Sequence, residues 1–407
     1  MKILWVKAGG LYPPNIGGRI RSYHILKALA RRHSITLFTF YAATKDDQHK
    51  VLEREFNRVV LMPLAIPAGR TFREALSYTR YLSSPFPYTV SKFCKPEVAR
   101  RLLQVVGETQ PDVIVCDFVI AAQSIPWNVP VPKIVFTHNV EAAIWRHHYK
   151  VAGNPFWKLL SWREYRAMER FEWDCIKRAD HVLTVSDHDR DIFAKMIDPS
   201  RITVIPTGVD IDYFRPSPNQ EEPATLVFSG AMDWMPNEDA IVYFIKRILP
   251  LIRKQIPSAS VCVVGRNPSR ALLESAANHR GIEITGIVDD IRPFVHRAAV
   301  YVVPLRIGGG TRLKIFEAMA MGKAVVSTAI GAEGLPVHHG QNILIADDPA
   351  EFADETIQLL RAPTRRAELG RTARELVERT YSWDAVVQPF EKVLNMLAER
   401  EEKLVSS

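Results

Sequence analysis

Short runs of apolar, largely β-branched residues alternate along the chain with segments whose apolar positions recur at helical spacing. The first run is MKILWVKA; it is followed by a loop with Pro13, Pro14, Gly17 and Gly18, a predicted helix over 21–32 and a predicted strand SITLFTFY. A strand, a glycine loop, a helix and a second strand form the repeating unit of a parallel sheet. The pattern therefore predicts an α/β fold.

The same pattern predicts two series of strands. The first continues with DVIVCDFV (112–119), KIVFTHN (133–139), HVLTVSD (181–187) and ITVIPTG (202–208). After the polar stretch RPSPNQEEPA (215–224), the second consists of TLVFSG (225–230), SVCVVG (260–265), IEITG (282–286), VYVVP (300–304), KAVVST (323–328) and NILIA (342–346). Such continuously apolar strands are covered on both faces. We therefore expect two doubly wound domains joined near 206–224, and an amphipathic helix over 381–397.

Length and composition agree with a globular chain of two or three domains, and the distribution of charge indicates which classes of partner it binds. Of the 407 residues, 47% are hydrophobic and 24% are charged, with a net charge of +8. Residues 1–205 hold 30 Lys/Arg against 19 Asp/Glu, whereas the remainder holds 23 against 26. A basic half favours anionic partners. Because no nucleic-acid-binding module is recognisable, we expect no nucleic acid, but an anionic acceptor or a membrane surface.

The chain also carries indications of its location. Its four cysteines show no metal or redox spacing, the opening apolar run is too short for a signal peptide, and no run approaches the roughly 20 residues of a membrane span. These features predict a cytoplasmic protein. The aromatic and basic segment 155–178 predicts a helix with two interpretations: its tryptophans pack into the core while its charges face water, or one of its faces rests on a bilayer.

Two features of the first half are candidates for a binding site, since open α/β sheets bind ligands beyond the carboxyl ends of their strands. Gly17 and Gly18 precede the first helix and would let a phosphate or sugar approach the backbone. Neither a dinucleotide fingerprint nor a P-loop lysine accompanies them. His138 ends the strand KIVFTHN, and either a structural or a functional role fits it; Asn139 and Glu141 would form a polar cluster beside it, facing an interdomain cleft.

The stretch GGGTRLKIFEAM (308–319) carries the most specific pattern. Glycines 308–310 can point their amides at an anion where a helix begins near Arg312. Arg312 and Lys314 can neutralise a diphosphate. Glu317 lies on the same helical face as Lys314 and can accept hydrogen bonds from a ribose diol. The alternative is a capped helix with a Lys314–Glu317 surface pair, but the combination favours a nucleotide diphosphate site.

At this point the chain resembles a known family. GGGTRLKIFEAMAMGKAVVST resembles the donor-nucleotide motif of the family-4 retaining glycosyltransferases, which have the GT-B fold. TGVDIDYF (207–214) is similar to their interdomain stretch G-V-D-x-x-x-F, and GIEITGIVDDIRPFVHRAAVYVVPL to the segment before their donor loop. The early glycine loop and THNVE match their acceptor-side domain. The resemblance spans nearly the whole chain. Within the family, the chain is most similar to enzymes of bacterial exopolysaccharide clusters.

The resemblance implies two Rossmann-like domains facing across a cleft. Residues 1–206, joined by a C-terminal helix over 388–407, would form the acceptor side, and residues 207–387 would bind the donor. The implied reaction moves a sugar, with retention, from a UDP- or GDP-linked donor to a glycan or lipid-linked acceptor in polysaccharide biosynthesis. No metal or other cofactor is implied, because amides, helix dipole and basic side chains stabilise the leaving diphosphate. Contact with the inner face of an anionic membrane is an expected further interaction.

The resemblance also implies roles for individual residues. Glu317 would hold the ribose hydroxyls, Gly18 would approach the diphosphate, and His138 would contact the donor sugar near its reacting centre. The predicted catalytic residues are His138, Arg312 and Lys314, and the predicted donor-binding residues are Gly17, Gly18, Gly230, Arg266, Val288, Gly309, Gly310, Thr311 and Glu317.

The sequence departs from the family pattern at two places. A second glutamate, which contacts the sugar in the family, is replaced by Gly309. An Arg and a Lys that grip the diphosphate are replaced by Met232 and Asn237, so we expect Arg312 and Lys314 to supply that charge. Alternatives are a sugar-nucleotide epimerase or phosphorylase on the same frame and a non-catalytic nucleotide-sugar binder. A dehydrogenase lacks its fingerprint.

Overall fold

A computed structural model describes residues 1–14, 17–42, 47–66, 77–217, 221–277, 279–307 and 313–405. The chain forms two compact units. The first comprises Met1–Pro206 with Val386–Ser407, and the second comprises Thr207–Ala385. The segment that returns to the first unit therefore begins two residues before position 388.

Within its described residues, the first unit contains a seven-stranded, wholly parallel sheet in the order β3-β2-β1-β4-β5-β6-β7. Its strands are β1 (Lys2–Ala8), β2 (Ser34–Tyr41), β3 (Arg58–Pro63), β4 (Val113–Asp117), β5 (Lys133–Phe136), β6 (His181–Thr184) and β7 (Ile202–Val204). Its helices are Gly17–Leu29, Asp47–Glu55, Tyr88–Ser91, Pro96–Thr109, Glu141–Val151, Pro155–Arg178 and Asp187–Phe193, with 3₁₀ turns at Val119–Ser124 and Pro199–Arg201.

The described part of the second unit holds a six-stranded parallel sheet in the order β10-β9-β8-β11-β12-β13. The strands are β8 (Glu222–Ser229), β9 (Ser260–Val264), β10 (Ile282–Gly286), β11 (Ala298–Val303), β12 (Ala324–Ser327) and β13 (Leu344–Ile345). The helices are Met235–Tyr243, Leu249–Gln255, Arg270–Ala277, Arg292–Arg297, Leu313–Ala320, Pro349–Arg361 and Pro363–Thr380, with a π-helical turn at Phe244–Ile248 between the first two.

Both sheets have the doubly wound strand order, which reverses once in each. The reversal lies between β1 and β4 in the first sheet and between β8 and β11 in the second. The interior strands are buried on both faces: all five residues of β4 and all six of β11 are buried. In such sheets the crevice at the carboxyl ends of the two strands flanking the reversal is the usual ligand site. We therefore expect ligand-binding residues at the carboxyl ends of β1 and β4 and of β8 and β11.

The predicted strand positions hold, but several boundaries differ. The first helix spans Gly17–Leu29 rather than 21–32. It ends early because the chain must turn back into β2, where the Ser34 amide donates to the Met1 carbonyl at 2.9 Å. The strand β3 was missed, although its run RVVLMP is apolar. The C-terminal helix is longer than predicted and spans Trp383–Val405.

The C-terminal helix packs into the first unit through two kinds of contact. The ring of Phe390 lies 5.9 Å from that of Trp5, centroid to centroid. His33 Nε2 lies 2.7 Å from a carboxylate oxygen of Glu391. An apolar contact with the central strand and a polar contact beyond the first helix thus connect the two ends of the chain within one unit.

The helix Pro155–Arg178 contradicts one sequence-based interpretation. Trp157, Trp162 and Trp173 do not pack into the core, since 58%, 47% and 40% of their surfaces are exposed. The helix buries another face instead, which includes Met168 and Phe171. None of the described helices combines the length and the apolar composition that a membrane span requires.

Candidate functional site

A buried ion pair occupies the strand reversal of the first unit. Lys7 and Asp117 are register partners at the ends of β1 and β4. The Lys7 ammonium donates to Asp117 Oδ2 at 2.8 Å, and the Trp5 indole N–H donates to the same oxygen at 2.9 Å. Both charged side chains are almost completely buried. A carboxylate in this position can persist only because the two donors replace its water.

His138 joins this pair through Asp117. Its Nε2 lies 2.7 Å from Asp117 Oδ1, and its Nδ1 lies 3.0 Å from Arg21 Nη1. A guanidinium can only donate, so Nδ1 must accept the hydrogen bond and Nε2 must carry the proton that is donated to Asp117. His138 is therefore a neutral imidazole with both nitrogens engaged. Asp117 and Arg21 fix its tautomer and ring orientation.

The pKa values of Asp117, His138 and Arg21 are all lowered, but for different reasons. Burial alone would raise the pKa of Asp117, but Lys7 and His138 together hold it well below its usual range. Burial lowers the pKa of His138 to about 4, although Asp117 opposes this change, and the positive charges of Arg21 and Lys7 lower it further. Burial also lowers the pKa of Arg21 to about 10. At neutral pH the cluster thus contains two cations, one carboxylate and a neutral imidazole.

The predicted glycine loop lies directly against this cluster. Gly17 and Gly18 open the first helix, whose Ser22 accepts a hydrogen bond from Lys7 at 3.0 Å and donates to the Gly18 carbonyl at 2.9 Å. The ring of Phe118 stacks on His138 with a centroid separation of 3.9 Å. A Cβ on Gly18 would come within 2.9 Å of that phenyl ring. Only a glycine leaves this room at the helix start.

The expected grouping is observed only in part: the side chains of Asn139 and Glu141 are hydrogen-bonded to each other, but His138 does not join them. The His138 side chain is buried with Asp117 and Arg21, whereas Asn139 is exposed. The backbone amide of Glu141 donates to Glu172 at 2.8 Å, which places it at the start of the next helix. The chain turns between these residues, because β5 ends at Phe136 rather than at Asn139.

A second polar cluster lies at the strand reversal of the second unit. The Lys314 ammonium donates to Asn237 Oδ1 at 2.7 Å and lies 4.2 Å from the centroid of the Phe228 ring. Asn237 in turn donates to the Ala231 carbonyl at 2.9 Å. A Cβ on Gly230 would lie 2.7 Å from both Lys314 Nζ and Asn237 Nδ2. The absence of a side chain at Gly230 thus gives the ammonium its position at the end of β8.

Glu317 follows on the helix Leu313–Ala320, one turn after Lys314. Burial raises the pKa of its carboxyl group to about 7, and the positive charge of Lys314 partly opposes that shift. The negative charge of Glu317 also contributes to raising the pKa of the buried Tyr301, after burial itself. The Tyr301 hydroxyl is hydrogen-bonded to Ser229 at the end of β8. Glu317 is therefore a carboxyl group with little solvation, close to a strand end.

The remaining predicted residues are placed differently. Arg266 follows β9 with an exposed guanidinium, whose Nε lies 3.9 Å from an Asp233 carboxylate oxygen. Val288 packs partly buried against the core of the second unit. The predictions for Gly309, Gly310, Thr311 and Arg312 fall outside the described residues.

Sequence reasoning missed Lys7, Arg21 and Asp117, which the structure gathers around His138. A signal was present for two of them: Lys7 follows the apolar run ILWV and Asp117 follows VIVC, and a charged residue at such a place needs a partner if it is buried. Asn237, noted only as a departure from the family pattern, holds the ammonium of Lys314. Asn237 stands where the family has a basic residue, and here it holds the Lys314 ammonium in place.

Each cluster offers a different chemistry. Lys314 can neutralise an anion at the end of a central strand, and Glu317 can accept hydrogen bonds from neighbouring hydroxyl groups. The cluster around His138 presents the start of a helix, opened by glycines, next to rigid side chains with one excess positive charge. These are means of holding a phosphorylated, hydroxyl-rich ligand.

Comparison with known proteins identifies both halves of the chain. Residues 17–213 match the model of the family described as Glycosyltransferase Family 4. Residues 223–362 match a model described as Glycosyl transferases group 1. The two matches lie one after the other and include the residues of both clusters except Trp5 and Lys7.

Individual relatives agree with these matches. An uncharacterized 44.6 kDa protein in the cps region of Klebsiella pneumoniae is 23% identical, over 93% of this chain and 96% of its own. A GDP-mannose-dependent alpha-(1-6)-phosphatidylinositol monomannoside mannosyltransferase of Mycobacterium tuberculosis is 28% identical, but over only 51% of this chain and 59% of its own. The crystal structure of Anabaena HepE in complex with UDP superposes with a TM-score of 0.66 at 15% identity, over 97% of this chain and 100% of HepE.

The fold and the ordered pair of family matches answer the question of identity. Two doubly wound parallel sheets in succession are the architecture of the structural neighbours, which are GT-B glycosyltransferases. The chain belongs to the family-4 glycosyltransferases and has the GT-B fold.

Proposed function

We propose that this glycosyltransferase moves a sugar from a nucleotide diphosphate-sugar to a glycan or lipid-linked acceptor in polysaccharide biosynthesis, with retention of anomeric configuration. The observation that carries the proposal is the arrangement of Gly230, Asn237, Lys314 and Glu317 at the strand reversal of the second unit. It combines a fixed cation with a poorly solvated carboxyl group on one helix.

The two groups fit the two ends of a nucleotide diphosphate. Charge accumulates on the leaving diphosphate as the glycosidic bond breaks, and a preorganised ammonium stabilises that charge without reorganising. Asn237 holds Lys314 in place before the donor arrives. When it is ionised, Glu317 can accept two hydrogen bonds from a ribose diol, which matches its predicted role.

Relatives support this choice of donor. HepE was crystallised with UDP, and the mycobacterial relative is named for its use of GDP-mannose. The name of that relative also specifies a phosphatidylinositol monomannoside, a lipid-linked sugar. The Klebsiella relative belongs to a cps region. Together they favour a nucleotide-sugar donor and an acceptor that is a glycan or carries a lipid.

The cluster of the first unit would act on the sugar side of the reaction. Gly18 leaves its backbone accessible, and His138 lies under it as a neutral imidazole. Because both His138 nitrogens are engaged, we infer that a sugar hydroxyl would have to displace Arg21 from Nδ1 to bind there. The cytoplasmic location, the absence of a metal requirement and the contact with an anionic membrane stay predictions.

Calorimetric titration tests the donor site directly. UDP, GDP and ADP are titrated into the protein in the presence of EDTA, and the preferred nucleotide is then titrated into Glu317→Ala. Hydrogen bonds to a charged group contribute about 1.5–3 kcal/mol, so the variant should bind roughly tenfold to a hundredfold more weakly. Glu368→Ala, an exposed glutamate of the same unit, serves as the matched control and should bind normally.

The outcomes separate the candidate functions. Binding followed by transfer of the sugar, with the anomeric configuration of the product determined by NMR, supports the whole proposal. An inverted product contradicts retention. Binding without transfer to any glycan or lipid acceptor identifies a non-catalytic binder, which Gly309 at the position of the second family glutamate would explain. No binding across the panel contradicts the donor site.

A further inference from the structure

The most exposed apolar residues of the first unit lie together at the end of a helical hairpin. The helices Glu141–Val151 and Pro155–Arg178 pack against each other and are joined by three residues. At the turn lies a group that we call the hairpin tip: Val151, Phe156, Trp157 and Leu159, which are 61%, 69%, 58% and 65% exposed. The exposed cations Lys150 and Lys158 flank it.

The long helix continues this surface along one face. Trp162, Arg166, Arg170 and Trp173 follow one another at spacings of four, four and three residues, and all four are exposed. Spacings of three and four place side chains on one helical face. We call these residues the helical stripe. At about 1.5 Å per residue, they extend over roughly 16 Å of helix.

The opposite face fixes this orientation. Glu164 is buried and accepts hydrogen bonds from the Tyr88 amide and the Tyr78 hydroxyl, each at 2.8 Å. Glu172 is also buried, where it accepts from the amides of Glu141 and Ala142. These contacts tie one face of the helix to the core, so the tip and the stripe are held outward. Their exposure is a property of the fold.

The charges of the helix select the partner. Two of its carboxylates, Glu164 and Glu172, point into the core, while Glu169 is largely covered and lies 2.8 Å from Arg166. A fourth carboxylate, Asp174, is exposed beside the stripe and pairs with Arg178 at 3.4 Å. The exposed stripe is therefore aromatic and cationic. Aromatic side chains with flanking Lys and Arg favour the interface of a bilayer that contains anionic lipids. A second copy of the same surface would bring like charges together, which opposes a symmetric dimer.

We propose that the hairpin tip and the helical stripe dock this enzyme on an anionic lipid bilayer, the tip entering the interface and the stripe lying on the headgroups. The proposal deepens the proposed function, on which it rests for its biological purpose: an acceptor carried by a lipid has to be reached at a membrane surface. Docking itself requires neither donor nor acceptor.

Vesicle co-sedimentation with the full chain tests the docking surface. Two kinds of phosphatidylcholine vesicle are compared at low and high salt: one without anionic lipid, and one in which about one lipid in three is phosphatidylglycerol. The tip variant Trp157→Ser/Leu159→Ser should bind at least about tenfold more weakly, since each side chain loses part of its apolar burial. The stripe variant Arg166→Glu/Arg170→Glu should lose more than about twentyfold, because each cation contributes roughly a factor of five.

Matched controls come from another helix of the same unit. Leu103 is 53% exposed and the Arg100 side chain is 75% exposed, both on Pro96–Thr109. Leu103→Ser and Arg100→Glu should sediment like the wild type. Equal effects of these controls and of the tip and stripe variants would overturn the proposal, as would a wild-type chain that stays in solution with anionic vesicles.

Two further measurements separate the remaining outcomes. Sedimentation velocity without lipid detects a concentration-dependent dimer; a dimer that the tip variant abolishes would assign the surface to a second copy and overturn membrane docking. Nucleotide calorimetry on the tip and stripe variants should match the wild type. If the wild-type chain binds vesicles but no nucleotide, the docking proposal stands and the proposed function is contradicted. If it binds nucleotide but no vesicles, the proposed function stands and the docking proposal is contradicted.

Discussion

The close packing around Gly230 yields a prediction that changes the donor site without removing a charge. Gly230 has a φ of +156°, and a Cβ there would lie 2.7 Å from both Lys314 Nζ and Asn237 Nδ2. Ordinary contacts begin near 3.4 Å, so the substitution Gly230→Ala forces these groups to move by about 0.7 Å. A misplacement of this order at a reacting centre costs up to about a hundredfold in rate.

The expected result is a donor affinity at least about tenfold weaker for Gly230→Ala, because the ammonium no longer lies at its preorganised position. Calorimetry with the intact nucleotide-sugar measures it. Gly340→Ala is the matched control: Gly340 has a φ of +80°, but nothing lies within 4 Å of its added Cβ. That variant carries the backbone strain, about 1–3 kcal/mol, without displacing a side chain, and should bind normally.

A double-mutant cycle decides whether Lys314 transmits the effect. Lys314→Ala alone should weaken binding by about tenfold or more, and adding Gly230→Ala should weaken it little further, since the displaced group is already gone. Additive losses would mean that Gly230 acts by another route. Unchanged affinity in Gly230→Ala, or in Lys314→Ala, would refute the assignment of Lys314 to the diphosphate.

Two further predictions concern charge. The pKa of Glu317 is raised to about 7, and only its ionised form accepts both ribose hydrogen bonds, so affinity for the nucleotide-sugar should fall about tenfold between pH 8 and pH 6; Glu317→Gln should show a flat profile, and an equal slope in both would contradict the assignment. Asp117→Asn leaves the Lys7 ammonium buried without its counter-charge, so the first unit should lose about 3–5 kcal/mol of unfolding free energy. Adding Lys7→Met should recover much of it, as measured by calorimetric unfolding; no recovery would argue against the ion pair as the cause.

Much of the fold was predictable because strand propensity is encoded locally. The strands KILWVKA and VIVCD each contain four consecutive apolar residues, and strands buried on both faces need only that local property. The short run RVVLMP carried the same signal and was overlooked. Helix ends were less predictable, because the first helix ends where the chain must turn toward the next strand rather than where its pattern fades.

The donor cluster was only partly predictable. Lys314 and Glu317 are three residues apart on one helix, so their spacing alone placed them on the same face. Their partners are distant in the chain: Asn237 lies 77 residues before Lys314. Neither residue type nor local spacing indicates that an asparagine will hold that ammonium. The contact depends on the pairing of β8 with β11, which brings the segments after these two strands together.

The sequence by itself determined the secondary-structure pattern, the two domains and the family, because these rest on local apolar runs and on motifs that are contiguous in the chain. The tertiary structure decided which charges meet and which tryptophans face water. Lys7 meets Asp117 across 110 residues because the strand order places β4 beside β1. Trp5 is buried and Trp157 is exposed, although each is a tryptophan with a lysine within the next two residues. Burial is a property of the packed neighbours, and non-local packing supplies those neighbours only after the chain has folded.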